Sequence, residues 1–423
     1  MRNIKKSVSL KNSMNTPFFI AGKLAFREKK SFSSFIIKLA FIAVSLSVCI
    51  MIIGTAITQG YQRVIGAKFN DCWGHLHITN YLPDPSNLLS DEKINLDPNF
   101  LAMASKVPHV SQIYPYSIQS CISKSPNDME GLLLKGINAE NHLTQFSKYI
   151  IQGQKIQFQP KGYSNEILLS SHTAQLLNVK QGGSLLLYFL NKNEYQPKVR
   201  KVRIAGIFNT GLEDYDKLFA ICDAGLIHSV NDDSANIIQG YELYVDEIQH
   251  INTVEHDLLQ MIEAPLEVYP LEKRFANVFS WLRLMKTNEV VIVTIMLVIA
   301  IINMITAFLV LIMERTKMIG LLKSVGMPNF QIMKIFIYSS TYIVLLGALS
   351  GSIFAILLCK LQEHFGFIQL AESTYYIKQV PIFLNWTTII FINLGTVLIC
   401  VLLLIIPAFI IRKISPTKAL LFN

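Results

Sequence analysis

Four long runs without charge set the frame of this chain. Residues 39–58, 290–313, 335–359 and a run centred on 386–406 that continues past Pro407 contain no Asp, Glu, Lys, Arg or His. A helix crosses roughly 30 Å of hydrocarbon with about 20 apolar residues, so the pattern predicts transmembrane helices at 39–58, 290–313, 335–359 and 382–411. The first follows a basic N-terminus, as a signal peptide would. Its apolar stretch is longer than the ~7–15 residues of a cleaved leader and no small-x-small site closes it, so it reads as a retained anchor.

Between the first two runs the period changes. Residues 75–81 alternate, with Leu76 and Ile78 on one face, then 99–106 reads as helix and 110–114 as strand. Near the far end Tyr241, Leu243 and Val245 alternate, Val254, Leu258, Met261 and Ile262 recur at helical spacing, and 266–269 looks extended. Two β-α-β halves enclosing an insertion at about 119–239 follow from this. The insertion reads as strand-rich, with runs at 131–137, 166–169, 184–190 and 199–208 separated by turn clusters such as Gln181-Gly182-Gly183 and Asn191-Lys192-Asn193. The fold class expected is an α-helical membrane protein with four transmembrane helices and a large α+β domain, 59–289, inserted between the first and second.

Both membrane-flanking edges of that domain carry helical apolar steps. Phe275, Val278, Phe279, Leu282 and Met285 repeat every three or four residues, as do Tyr61, Ile65 and Phe69. They suggest that the first two membrane helices continue outward as a paired stalk, or else an ordinary amphipathic helix packed on the domain. In the third run, Gly347, Gly351 and Ala355 place small residues on one face, a candidate packing seam.

Charge then fixes orientation. The chain of 423 residues is 51% hydrophobic and only 16% charged, against about 25% charged in a soluble domain, and carries a net charge of +9. Residues 1–38 hold nine Lys or Arg against Glu28 alone, and 314–334 and the tail 412–423 are also basic. The segment 59–289 holds 20 basic and 25 acidic residues, and the rest of the chain 18 and 4. By the positive-inside rule both termini and the 314–334 loop are cytoplasmic, while 59–289 and the 360–381 connection lie outside. The basic balance is thus a topology signal, and no nucleic-acid partner is implied.

Catalytic patterns are absent from the sequence. It contains no GxxxxGK[ST], no HExxH and no GxSxG, and its histidines do not cluster with carboxylates along the chain. His75 and His77 read as an exposed polar face, and Glu213, Asp214, Asp216 and Asp223 as a solvated acidic loop, in preference to metal ligands. Of six cysteines, three lie in membrane runs, leaving at most one bridge outside.

The stretch Glu314-Arg315-Thr316-Lys317-Met318-Ile319-Gly320-Leu321-Leu322-Lys323-Ser324-Val325-Gly326-Met327-Pro328 reads as a short cytoplasmic helix. Its apolar face of Met318, Ile319, Leu322 and Val325, ringed by basic residues, suits either a turn hugging the headgroups or a surface covered by a partner. This run resembles the coupling helix of FtsX-like ABC permeases, the group that includes MacB, FtsX and the LolC/LolE lipoprotein-releasing permeases. Several segments resemble the LolC/LolE branch: Phe18-Phe19-Ile20-Ala21 with Arg27, Lys29 and Lys30, Gly74-His75-Leu76-His77-Ile78, Leu133-Leu134-Lys135-Gly136-Ile137, and Gly206-Ile207-Phe208-Asn209-Thr210-Gly211-Leu212-Glu213-Asp214-Tyr215-Asp216.

The resemblance implies a non-catalytic permease in a bacterial inner membrane. It implies a separate LolD-like cytoplasmic ATPase that binds ATP and Mg, a second permease copy or paralogue, membrane lipids, a lipoprotein cargo and a periplasmic carrier. The chain itself would bind no cofactor and no metal. Glu314, Arg315, Lys317, Gly320, Lys323 and Gly326 would form the ATPase-facing helix, and Met318 stands where many relatives have an acidic residue. A MacB-like exporter of periplasmic peptides or toxins, and an FtsX-like regulator of a cell-wall hydrolase, share the architecture and stay open at this point.

Overall fold

The computed structural model describes residues 32–414 except 88–91, 127, 139, 160–161, 191–195, 235 and 372–376. The N-terminal stretch 1–31 with its Phe18–Ala21 segment, the Asn191–Asn193 turn, Glu372 of the 360–381 connection and the tail beyond 414 lie outside the described residues.

The chain opens with α1 (Phe32–Trp73), β1 (Leu76–Asn80), β2 (Ile94–Asn95), α2 (Pro98–Ala104), β3 (Val110–Lys124), β4 (Met129–Ile137), β5 (Ile150–Gly153) and β6 (Glu166–Ser170). It continues through α3 (Ser171–Leu176), β7 (Ser184–Phe189), β8 (Lys198–Phe208), α4 (Glu213–Leu218), β9 (Phe219–Asp223), α5 (Ala224–Asn231), β10 (Ile237–Ile238) and β11 (Gly240–Val245). It ends with α6 (Ile251–Leu259), β12 (Leu266–Pro270), α7 (Leu271–Arg274), α8 (Ala276–Glu314), α9 (Thr316–Ser324), α10 (Asn329–Phe365), α11 (Trp386–Ala408) and α12 (Ile410–Lys413).

Among the described residues, four helical stretches are long and apolar enough to cross a membrane: α1, α8, α10 and 386–413. At 42 residues and 1.5 Å per residue, α1 is roughly 60 Å long, about twice a bilayer's hydrocarbon core. Contacts divide the described residues into a membrane unit, comprising 32–60, Leu284–Phe367 and 381–414, and an α/β unit within Tyr61–Arg283 and Ile368–Val380.

In the membrane unit Val44, Val48 and Ile52 of α1 join Met304 and Phe308 of α8, Phe336 of α10 and Leu404 of α11 in one core. Outward positions such as Leu46, Ile302, Ile353 and Phe391 are apolar and exposed, as lipid-facing helices require. Gly347 and Gly351 of α10 pack on α1: a Cβ on Gly351 would collide with the carbonyl oxygen of Ser45, and one on Gly347 would lie 3.0 Å from Val44. Ala355, one step further along, is fully buried. Polar bonds reinforce the contacts, Ser350 to Ser45 at 3.2 Å and Asn393 Nδ2 to Ser352 Oγ at 2.8 Å.

The α/β unit is built on one sheet of order β12-β1-β11-β3-β4-β9-β6-β8-β5, with β7 bridging β3 and β8. The units β1-α2-β3 and β11-α6-β12 interleave, since β1 pairs antiparallel with both β11 and β12. Phe100 and Ala104 of α2 and Val254 and Leu258 of α6 close that core. The strand beginning at Val110 runs 15 residues, straight through Pro115, and pairs with β11 in its first half and β7 at its end. The expected insertion at about 119–239 therefore begins inside β3 and shares its sheet, around Leu134, Ile167, Leu187 and Ile204.

Candidate functional site

The short helix α9 rests on the membrane core instead of standing clear of it. Ile319 and Gly320 are buried, and Met318 and Leu322 pack against the same core as Phe308 and Phe336. Of the four apolar side chains expected at a partner surface, only Val325 is exposed; Leu321 joins it, at 56% and 81% exposure for Leu321 and Val325. Glu314 and Lys317 are also exposed and Arg315 is half-buried.

Lys323 turns inward. Its Nζ donates to the carbonyl oxygens of Ile411 and Ile414, both at 2.7 Å, and lies 3.5 Å from that of Arg412. These carbonyls belong to the end of the last helix, where intrahelical donors run out. The far end of α9 is closed at Gly326, whose φ of +89° only glycine adopts without strain, with Met327 N bonded to Leu322 O at 3.0 Å.

In the α/β unit, α1 ends in a buried joint. Trp73 is wholly buried, with the rings of Phe219 at 5.0 Å, Phe275 at 5.6 Å and Tyr215 at 5.9 Å. Lys135 Nζ sits 4.3 Å over the Trp73 ring, donates to Cys72 O at 2.6 Å and lies 2.7 Å from Glu242 Oε1. His142 Nε2 meets Glu242 Oε2 at 2.9 Å, and its ring stacks on Tyr114 at 4.6 Å. Sheet register assembles the group, because His77, Glu242 and Tyr114 face one another across β1, β11 and β3. His77 is thus fully buried, a correction to the exposed polar face expected for it.

The electrostatics follow from burial. Burial alone would raise the Glu242 carboxyl, but Lys135 and then His142 override it and hold it at about 2. Burial, followed by Arg274, lowers His77 to about 3. Burial also lowers His142, against the opposing effect of its Glu242 bond.

Below this joint α1 and α8 run side by side. Phe69 lies 5.1 Å from Phe275 and 6.0 Å from Phe279, Tyr61 lies edge-on to Trp281 at 6.2 Å, and Gln62 Nε2 donates to Leu282 O at 3.2 Å. Tyr61, Ile65, Phe69 and Leu282 are buried and Val278 half-buried, while Met285 falls in the membrane unit.

The Gly206–Asp216 segment is a structural turn beside an open cleft. Asp216 accepts from Thr210 Oγ1 at 2.7 Å and from Gly211 N at 3.0 Å, and Ser170 donates to its carbonyl oxygen. Ser171, His172, Gln175 and Glu213 line the adjacent cleft of about 270 Å³. Glu213 pairs with Lys217 and Asp223 caps α5, so these carboxylates do not converge. All six cysteines are free and buried.

Histidines that are scattered along the chain do meet carboxylates in the fold, His142 with Glu242 and both His109 and His250 with Asp246. Only the four-residue spacing of Asp246 and His250 signalled this in the sequence.

Residues 290–416 match the FtsX-like permease C-terminal family. The lipoprotein-releasing system transmembrane protein LolC of Xylella fastidiosa strain 9a5c is 21% identical over 411 residues, covering 94% of this chain and 96% of that protein. The LolE protein of Haemophilus influenzae, of the same system, is 21% identical over 424 residues, covering 96% and 99%. The solved periplasmic region of MacB from Actinobacillus actinomycetemcomitans aligns with 48% of this chain and 91% of its own at 13% identity, with a TM-score of 0.34. The chain is therefore similar along nearly its whole length to the LolC and LolE transmembrane proteins, and over residues 290–416 it matches the FtsX-like permease C-terminal family.

Proposed function

We propose that this chain is the permease subunit of an inner-membrane ABC transporter that extracts lipoproteins from the membrane and passes them to a periplasmic carrier. The observation that carries this reading is the end-to-end similarity to lipoprotein-releasing transmembrane proteins, with 94% of this chain matched to 96% of LolC. The α/β unit lies in the periplasm and α9 in the cytoplasm, in keeping with the basic 1–38 and 314–334 segments. The chain has no enzymatic activity of its own. A separate ATPase binds ATP and Mg and docks on α9 through Leu321 and Val325, with Glu314 and Lys317 beside them.

ATP-driven closure of that ATPase moves α9, Lys323 carries the movement to the end of the last helix, and the paired helices α1 and α8 carry it to the buried joint. Work of this kind is needed because drawing acyl chains from lipid toward water costs about 0.8 kcal/mol per CH₂. A second permease, copy or paralogue, completes the complex. Depletion of the protein followed by separation of inner and outer membranes tests the cargo. Mature lipoproteins should accumulate in the inner membrane; unchanged sorting, in a strain lacking any second permease, would overturn the assignment.

A further inference from the structure

We propose that His109, Asp246 and His250 form a divalent-metal site on the α/β unit, with a ligand set suited to Zn²⁺. The site is separate from α9, the stalk and the buried joint, and does not depend on the function proposed above.

The sheet itself assembles it. Val110 opens β3 and pairs with Val245, the last residue of β11, so the flanking His109 and Asp246 are neighbours. Asp246 N donates to His109 O at 3.0 Å, and the short turn Ile248–His250 returns His250 to the same carboxylate. His109 Nδ1 lies 2.9 Å from Asp246 Oδ2 and His250 Nδ1 lies 3.0 Å from Oδ1. The two imidazoles stack at 3.7 Å between centroids, and one ligand atom from each of the three residues lies within 4.8 Å of the others. His109 holds this position with φ at +70°, a conformation most side chains avoid.

Two imidazoles and one carboxylate with open positions are the donor set of zinc and its first-row neighbours, whereas Mg²⁺ and Ca²⁺ call for oxygen ligands. Around a tetrahedral zinc with bonds of about 2.0–2.2 Å the ligand atoms stand about 3.3–3.6 Å apart, so the two His–Asp contacts of 2.9 and 3.0 Å open slightly to admit the ion. All three side chains reach solvent, so ordinary rotamer changes supply that adjustment and an ion can enter. Once bound, the ion would tie the β3–β11 end of the sheet to the start of α6.

The test uses the full-length chain in detergent, stripped with chelator and titrated with Zn²⁺ alone against a chromophoric competitor. One equivalent per chain is expected, with Co²⁺ giving a visible absorption band from nitrogen and oxygen ligation. His109→Asn, which tolerates the positive φ, and His250→Gln should each weaken zinc binding by more than the roughly 10–100-fold that loss of an outer-shell partner causes. Unfolding temperatures without metal should match between variants and parent, and zinc should raise only the parent's. Absence of stoichiometric binding, or binding that survives both substitutions, would overturn the site.

Discussion

Lys135 donates from Nζ to the main-chain oxygen of Cys72 at 2.6 Å, setting a buried cation against the last turn of α1. That turn carries carbonyls without intrahelical donors and the negative end of the helix dipole. The same ammonium lies 2.7 Å from Glu242 Oε1, so the helix end, β4 and β11 share one charge. Replacing Lys135 with Met would leave Glu242 buried without its counter-charge. A loss of about 3–5 kcal/mol is expected, and adding Glu242→Leu should restore much of it. Thermal unfolding and limited proteolysis of the full chain in detergent check this; a single K135M variant as stable as the parent would refute it.

The same cluster sets a pH dependence. His77 at about 3 and His142, also lowered, have folded pKa values below the ordinary 6.5, and Glu242 at about 2 lies below its ordinary 4.5. As pH falls below about 6.5, the unfolded chain takes up protons at these histidines that the folded chain refuses, so stability declines. Glu242 adds a further decline from about 4.5 to about 2, and none of the three contributes a loss above 6.5. The unfolding temperature should drop steadily between about pH 6.5 and 4. His77→Gln should flatten that slope; an identical slope in the variant would remove His77 from the account.

The four long apolar helices were legible because charge is costly in hydrocarbon, and uncharged runs are visible without tertiary knowledge. The precise helix ends were less so: α1 continues to Trp73, with Tyr61 packed on Trp281 and Phe69 on Phe275 and Phe279, residues more than 200 positions away. The buried joint was hidden for a different reason. Glu242 sits between Tyr241 and Leu243, where alternation turns it toward solvent, yet every residue of β11 is buried because both faces of that strand are covered. Lys323 reads as one more cationic rim residue until the fold brings the carbonyls of Ile411 and Ile414 to it.

Gly351 and Gly395 offer a controlled comparison within the membrane unit. A methyl group at 351 meets the carbonyl oxygen of Ser45, whereas one at 395 meets nothing within 4 Å. Gly351→Ala should therefore force α10 from α1 and cost about 1–3 kcal/mol. Gly395→Ala lacks that clash and gains up to about 1 kcal/mol of helix propensity, so it should be neutral or stabilising. Unfolding both variants in the same detergent isolates the packing term. Equal effects would mean that the close approach at Ser45 is not what requires glycine.

On the proposed function, the surface and the inner face of α9 have two separate roles, docking and transmission, that a single deletion would confound. Leu321 and Val325 are exposed, so Leu321→Glu or Val325→Glu should weaken capture of the proposed ATPase partner while the chain still inserts and folds. Loss of one central apolar anchor at an interface costs about 2 kcal/mol or more, a drop of about 30-fold in affinity. Lys323 faces the other way, onto the end of the last helix. Lys323→Met should retain ATPase capture yet lower the stimulation of its turnover by cargo, because the strut between α9 and the last helix is gone. Co-purification from detergent measures the first property and ATP hydrolysis in proteoliposomes the second. If K323M lost capture along with stimulation, Lys323 would belong to the docking surface; if it lost neither, the three carbonyl bonds would be local caps without a part in transmission.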